Sequence, residues 1–340
     1  MKRALVIQTA FLGDVILTLP LVQVLKKSIP EVQIDFISIP GTVEILQSHP
    51  DITNVIVYDK HGSQKSPRAF LAFASALRKS KYDHVFCPHR SLRSCLLSRS
   101  TKAEVRVGFR NSALKKAFTN VVPWKFGVHE IERDLSLLGP LGIPIRREEP
   151  HLFPTATHRS TVDKFLSENG IAVPYLVIAP GTVWPTKQYP VEMMAEVARK
   201  MLTKFENIVI IGGEKDAPFV SAFDPHDKRI VSGVGKLSVM CSAELIRRAA
   251  LLIANDSAPV HIASAFNIPT VAIFGPTVRD FGFYPYHERS VVVEVENLSC
   301  RPCTLHGGRR CPIGTFVCMK KIAPDMVVEK ALALLEAADA

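Results

Sequence analysis

The chain has 340 residues, 47% of them hydrophobic and 22% charged, which excludes wholesale disorder and fits about two domains with cores that need no disulfide staples. Its net charge of +10 is unevenly spread: residues 1–150 carry 22 Lys+Arg against 13 Asp+Glu, and the remainder 20 against 19. The first half is therefore expected to meet an anionic partner, whether nucleic acid, an anionic membrane surface or a phosphorylated substrate. Seven cysteines, an odd number without the spacing of a small secreted scaffold, predict a reducing, cytoplasmic compartment.

Met1-Lys2-Arg3 ahead of an apolar run to Leu25 imitates a signal peptide. Asp14 inside that run, Gly13 beside it, Pro20 after it and the lack of a small-residue cleavage site argue instead for a strand, a turn and a helix. In the first half, strands are predicted at Ala4–Gln8, Ile34–Ile39, Asn54–Tyr58, His84–Pro88, Val105–Phe109 and Val121–Trp124. Helical spacing falls between them at Val15–Lys27, Pro67–Lys79 and Leu92–Ser98. The second half restarts the rhythm, with strands at Tyr175–Ala179, Ile208–Ile211, Arg229–Ser232, Leu251–Ala254, Thr270–Phe274 and Val291–Val295. Its helices are expected at Thr161–Asn169, Val191–Lys204, Ala243–Ala250 and Ala258–Phe266, with a last one at Met326–Ala337. Strands alternating with helices make parallel βαβ sheets, so two doubly wound α/β domains are expected. The domains are placed at 1–155 and 156–322, joined near Ile143–Pro154, with a terminal helical segment 323–340 expected to pack back on the first domain.

In open parallel sheets, ligands bind beyond the carboxyl ends of the strands. The first such turn, Thr9-Ala10-Phe11-Leu12-Gly13-Asp14, has one glycine and lacks the spaced glycines of a dinucleotide oxidoreductase. It does offer a carboxylate: Asp14 either accepts a proton from a substrate hydroxyl or caps the helix beginning at Val15. In the second half, Gly181, Thr182, Thr186 and Lys187 follow a strand and suit a phosphate, with hydroxyl donors and a point cation. Glu214, after Gly212-Gly213, stands where a carboxylate commonly meets a ribose. In Ala254-Asn255-Asp256-Ser257-Ala258-Pro259-Val260-His261, Asp256 or Ser257 caps a helix whose amides would receive an anion. Gly275-Pro276-Thr277 would complete a diphosphate pocket, and His261 is expected to be a packing residue.

Phe11-Leu12-Gly13-Asp14, Pro180-Gly181-Thr182 with Lys187, Asn255-Asp256-Ser257 with His261, and Phe274-Gly275-Pro276-Thr277 together resemble the ADP-heptose:lipopolysaccharide heptosyltransferases of glycosyltransferase family 9. The resemblance runs from Ala4 to about Met319 and implies the GT-B fold, two Rossmann-like domains facing across an interdomain cleft. It implies inverting transfer of heptose from ADP-heptose to the lipopolysaccharide inner core, with Asp14 as general base. Thr182 and Lys187 would hold the donor's phosphates, Glu214 its ribose and Asp256 its sugar, with the Ser257 and Ala258 amides on the diphosphate. Trp184-Pro185-Thr186 ahead of Lys187 and Ala258-Pro259 depart from the family's commoner residues. The acceptor, lipid A carrying anionic core sugars, would be met by Gly13, Arg90, Arg93 and Arg110, at the cytoplasmic face of the inner membrane, which the basic half would also contact.

No cofactor is implied, since the ADP-sugar is a substrate, and no helix-turn-helix or basic-aromatic pattern suggests nucleic acid. Cys300-x2-Cys303-x7-Cys311-x6-Cys318 is a candidate metal cluster only, against free thiols or a disulfide pair. Cys87, Cys95 and Cys241 read as core. Two rival readings keep the fold: a nucleotide-sugar epimerase, and a non-catalytic basic module at a membrane surface.

Overall fold

The computed structural model describes residues 1–339 and divides into two units, Met1–Phe153 and Pro154–Ala340, two residues before the expected boundary. The first unit runs β1 (Arg3–Ile7), α1 (Leu12–Ser28), β2 (Gln33–Ser38), α2 (Val43–Gln47), β3 (Asn54–Val57), α3 (Pro67–Lys79), β4 (His84–Cys87), α4 (Leu92–Ser100), β5 (Val105–Phe109), β6 (Asn120–Val122) and α5 (Glu130–Ser136). Its six strands form one parallel sheet in the order β3-β2-β1-β4-β5-β6. The chain winds outward from β1 in one direction and returns to start again beside it at β4. That neighbouring pair is the switch point of the sheet.

The second unit runs α6 (Ala156–Glu168), β7 (Leu176–Ala179), α7 (Val191–Met201), β8 (Ile208–Ile210), α8 (Ala217–Val220), β9 (Ile230–Ser232), α9 (Val239–Arg248), β10 (Leu251–Asn255), α10 (Ala258–Ser264), β11 (Thr270–Phe274), β12 (Ser290–Glu294), α11 (Val317–Lys320) and α12 (Pro324–Asp339). Its sheet, also parallel, is ordered β12-β11-β10-β7-β8-β9, with the switch point between β7 and β10. Every residue of β7, β10 and β11 is buried, as expected of parallel strands covered on both faces.

Local signals explain most boundaries. Ser66, Ser91 and Ser238 each accept an amide of the helix they precede, and Pro67 opens α3 where its missing N–H is harmless. α1 starts at Leu12, earlier than the apolar spacing suggests, and runs through the buried Pro20. α12 packs on α7, β10, β11 and β12, burying Val327 and Ala331. Ala340, the last residue of the expected terminal segment, lies outside the described residues. Among the described residues no helix is long and apolar enough to cross a membrane.

Candidate functional site

In the first unit, functional groups gather at the carboxyl ends of the switch-point strands β1 and β4. Asp14 is the third residue of α1, one turn beyond β1, and its carboxylate accepts the Phe11 amide at 3.2 Å. It thus satisfies one of the helix's orphan amides without being the capping residue. Thr9, at the end of β1, shares its hydroxyl with His89 Nδ1 (2.8 Å), just beyond β4, and Ser94 Oγ (3.1 Å), in the first turn of α4. Lys60 reaches in from the end of β3, donating to the Thr9 carbonyl at 2.6 Å and facing Asp14. Burial holds its ammonium below the ordinary lysine range, although the Asp14 carboxylate favours the charge. The turn therefore sets a carboxylate and a cation side by side at the mouth of a parallel sheet.

In the second unit the corresponding place, beyond β7 and β10, holds a buried ion pair. Lys187 Nζ lies 2.6 Å from Asp256 Oδ2, both side chains about nine-tenths buried or more. Thr277, at the end of β11, donates to the same oxygen at 2.6 Å. Asn255 fastens both ends of the loop between β7 and α7, donating to the Pro180 carbonyl (2.6 Å) and accepting the Tyr189 amide (3.1 Å). Ser257 donates to the Gly181 and Asn255 carbonyls at 3.4 and 3.3 Å, and Thr182 Oγ1 accepts the Trp184 amide. Gly307 and Gly308 close the other side: Gly308 N donates to Thr186 Oγ1 at 2.7 Å, and Thr186 N donates to the Gly308 carbonyl. Gly307 has φ +87°, and a Cβ there would crowd Lys187 and Trp184 at 3.1 Å, so glycine is required on both counts. A cation held in a dry, hydrogen-bonded cradle at a switch point is suited to an anionic ligand.

The family model for glycosyltransferase family 9 (heptosyltransferase) matches residues 70–310. The chain belongs to glycosyltransferase family 9. Relatives of the enzyme include lipopolysaccharide heptosyltransferase 3 of Escherichia coli, 29% identical over 287 residues (80% of this chain, 83% of the relative). Lipopolysaccharide heptosyltransferase 1 of Pseudomonas aeruginosa is 28% identical over 321 residues, covering 88% and 86%. Among solved structures, E. coli ADP-heptose lps heptosyltransferase II superposes over all of both chains with TM-score 0.80 and 22% identity. The fold is GT-B, and membership sets aside the epimerase and the non-catalytic module: the protein is a glycosyltransferase.

The other predicted residues fall as follows in the enzyme. Thr182, Lys187, Asp256, Ser257 and Ala258 come together beyond β7 and β10. Glu214 is exposed beyond β8, and Asp216, in the same turn, accepts the Gly213 amide and packs on Gly181 and Gly212. Arg110 is exposed beyond β5. Arg90 stacks on Trp124 with 4.8 Å from guanidinium carbon to ring centre. Arg93 bonds Tyr58 Oη (3.0 Å) and the Gln64 and Lys65 carbonyls (3.3 and 2.7 Å), so its guanidinium holds the loop bearing Lys60. Lys60 was not visible to sequence reasoning; only the fold carries it across to Thr9.

Cys300, Cys303, Cys311 and Cys318 are free thiols near enough to influence one another. The Phe316 amide, 3.4 Å away, and neighbouring amides hold the Cys311 thiol below its usual range. Among the described residues no group of three or more His, Cys, Asp or Glu is placed to hold a metal ion.

His261, 4% exposed on α10, sits near Asp256 and Lys187, and burial pulls its pKa down from 6.5 to about 4. The fold therefore holds it neutral, and that contribution is complete above pH 6.5 and lost as pH falls through about 4. His261→Gln should lose about 3 kcal/mol less stability than the parent between pH 7 and 4. Denaturant midpoints across that window check this, and parallel curves would remove His261 as a source of acid lability.

Proposed function

We propose that the enzyme transfers heptose from ADP-heptose to the inner core of lipopolysaccharide, with inversion, Asp14 acting as general base. The observation that carries the reading is the buried Lys187–Asp256 pair beyond the switch-point strands of a family 9 glycosyltransferase. In the proposed reaction Asp14 takes the proton of the acceptor hydroxyl, whose oxygen bonds to the anomeric carbon as the bond to the diphosphate breaks. The diphosphate gains charge in that step, and Lys187 stabilises it most strongly where water is excluded. Thr182 and the Ser257 and Ala258 amides would steady the phosphates, Glu214 the ribose and Asp256 the sugar. Lys60, which faces Asp14, would set an opposite charge beside the carboxylate. The excess of basic residues in the first unit supports an anionic acceptor, met by Gly13, Arg90, Arg93 and Arg110 at the cytoplasmic face of the membrane.

Release of ADP from ADP-heptose, measured with and without heptose-deficient or mono-heptosylated lipopolysaccharide, tests the proposal. Release that depends on one of these acceptors is expected, and the preferred one names the step. Equal release with and without either acceptor would overturn it.

A further inference from the structure

Beneath Asp14 lies a second carboxylate that the proposed reaction does not use. Asp134 is carried by α5, which packs against α1, and is 1% exposed. Its Oδ2 lies 2.6 Å from Thr18 Oγ1, one turn along α1 from Asp14. Its Oδ1 is buried with no hydrogen-bond partner.

The proton count around Thr18 decides the state of this carboxyl. Thr18 Oγ1 has three polar neighbours: Gln8 Nε2 at 3.1 Å, the Asp14 carbonyl at 2.9 Å and Asp134 Oδ2. A hydroxyl has one proton and two acceptor lone pairs. The Gln8 amide can only donate, and the Asp14 carbonyl can only accept. Were Asp134 ionised, two acceptors would compete for the single Thr18 proton, and one lone pair would stay unused. With the proton on Asp134 Oδ2, everything closes: Gln8 and Asp134 donate to Thr18, and Thr18 donates to the Asp14 carbonyl. The orphan Oδ1 is then a neutral carbonyl oxygen, far cheaper to bury than half of an ionised carboxylate.

The surroundings agree. The groups facing Asp134 are Asp14 from α1, Glu130 and Arg133 from its own helix and Cys87 from β4. Arg133 is engaged with Glu130 at 2.6 Å, with the Lys125 carbonyl at 3.1 Å and with the Trp124 ring. Burial first, then Glu130 and Asp14, lift the Asp134 carboxyl well above its usual range, against the Thr18 bond and Arg133.

We infer that Asp134 is a positioning residue that works as a neutral carboxylic acid, anchoring the first turn of α1 through Thr18 and so aiming Asp14. Its neutrality also spares Asp14 a like-charged neighbour. The inference rests on the reading of Asp14 as base for its consequence, but not for the protonation of Asp134.

Infrared difference spectra of the intact enzyme, parent against Asp134→Asn at neutral pH, should show a neutral carboxylic acid carbonyl band lost in the variant. Loss of a carboxylate band instead overturns the inference, whatever Asp14 does. Asn can donate to Thr18 as the neutral acid does, so Asp134→Asn should keep acceptor-dependent ADP release within about threefold of the parent. Asp134→Ala should lower kcat by about 10- to 100-fold through misplacement of Asp14, with ADP affinity unchanged. Thr18→Val, which keeps the volume and removes the relay, should match it if Asp134→Ala does not fold. The parent's rate should also fall at alkaline pH as Asp134 ionises, because the useful form exists below its raised pKa. That limb should vanish in Asp134→Asn. Equal damage from Asn and Ala, with the alkaline limb kept, would mean that a charged carboxylate is needed and would sink the proposal. Full activity in Asp14→Asn would sink the base reading alone, since the infrared result stands apart from it.

Discussion

Asp14→Asn should slow acceptor-dependent ADP release by about 10²- to 10⁴-fold, the usual contribution of a positioned general base. The substitution separates chemistry from helix capping. The Asn side-chain oxygen can still accept the Phe11 amide that Asp14 accepts at 3.2 Å, so the first turn of α1 keeps its bond and loses only the basic oxygen. ADP affinity should be unchanged, because Lys187, Asp256 and Ser257 lie in the other unit. Unaltered turnover in this variant would reduce Asp14 to a residue that completes a helix end.

Lys187→Ala is expected to act on folding and on binding together. Removing the lysine leaves Asp256 buried at 4% side-chain exposure, with Thr277 as a remaining donor, and breaking such a pair costs about 3–5 kcal/mol. On the proposed reading it would also remove a charge-assisted bond to the diphosphate, worth about 1.5–3 kcal/mol, or roughly 10- to 100-fold in ADP affinity. The double variant Lys187→Met with Asp256→Asn separates these effects, since no buried charge is stranded. Thermal unfolding should return close to the parent midpoint, while calorimetric ADP affinity stays low. Parent-like ADP affinity in the double variant would remove Lys187 from the donor site.

The fold was legible because its signals are local. Apolar runs such as Leu251–Ala254 and Thr270–Phe274 lie in the fully buried strands β10 and β11, and a strand buried on both faces has no polar alternation to confuse it. Serine caps and prolines punctuate the helices between them. α5 escaped notice because Glu130-Ile131-Glu132-Arg133-Asp134 reads as a solvated, charged stretch. Yet Glu130, Arg133 and Asp134 are buried, and only tertiary pairing makes that tolerable. The positions of the groups beyond β7 and β10 were legible because each follows the carboxyl end of a strand, where open parallel sheets receive ligands. The acceptor side was less so. Arg93 was read by its charge alone, and its four bonds to Tyr58 Oη and the Lys60, Gln64 and Lys65 carbonyls were not visible in the sequence; nor was Lys60, which reaches Thr9 from 51 residues away along the chain.

The pairing of Lys187 with Asp256 also bears on what the pocket ignores. A bare buried ammonium would capture whichever small anion is most abundant around it, and inorganic phosphate would be a constant occupant. Here the counter-ion is built in, 2.6 Å away, so an incoming anion gains little from charge alone. Only a ligand that brings further contacts for the surrounding hydroxyls and amides can outcompete it. If Lys187 meets the donor as proposed, fidelity toward a large glycosyl donor in a crowd of simple phosphates would begin with a lysine that already has its counter-ion.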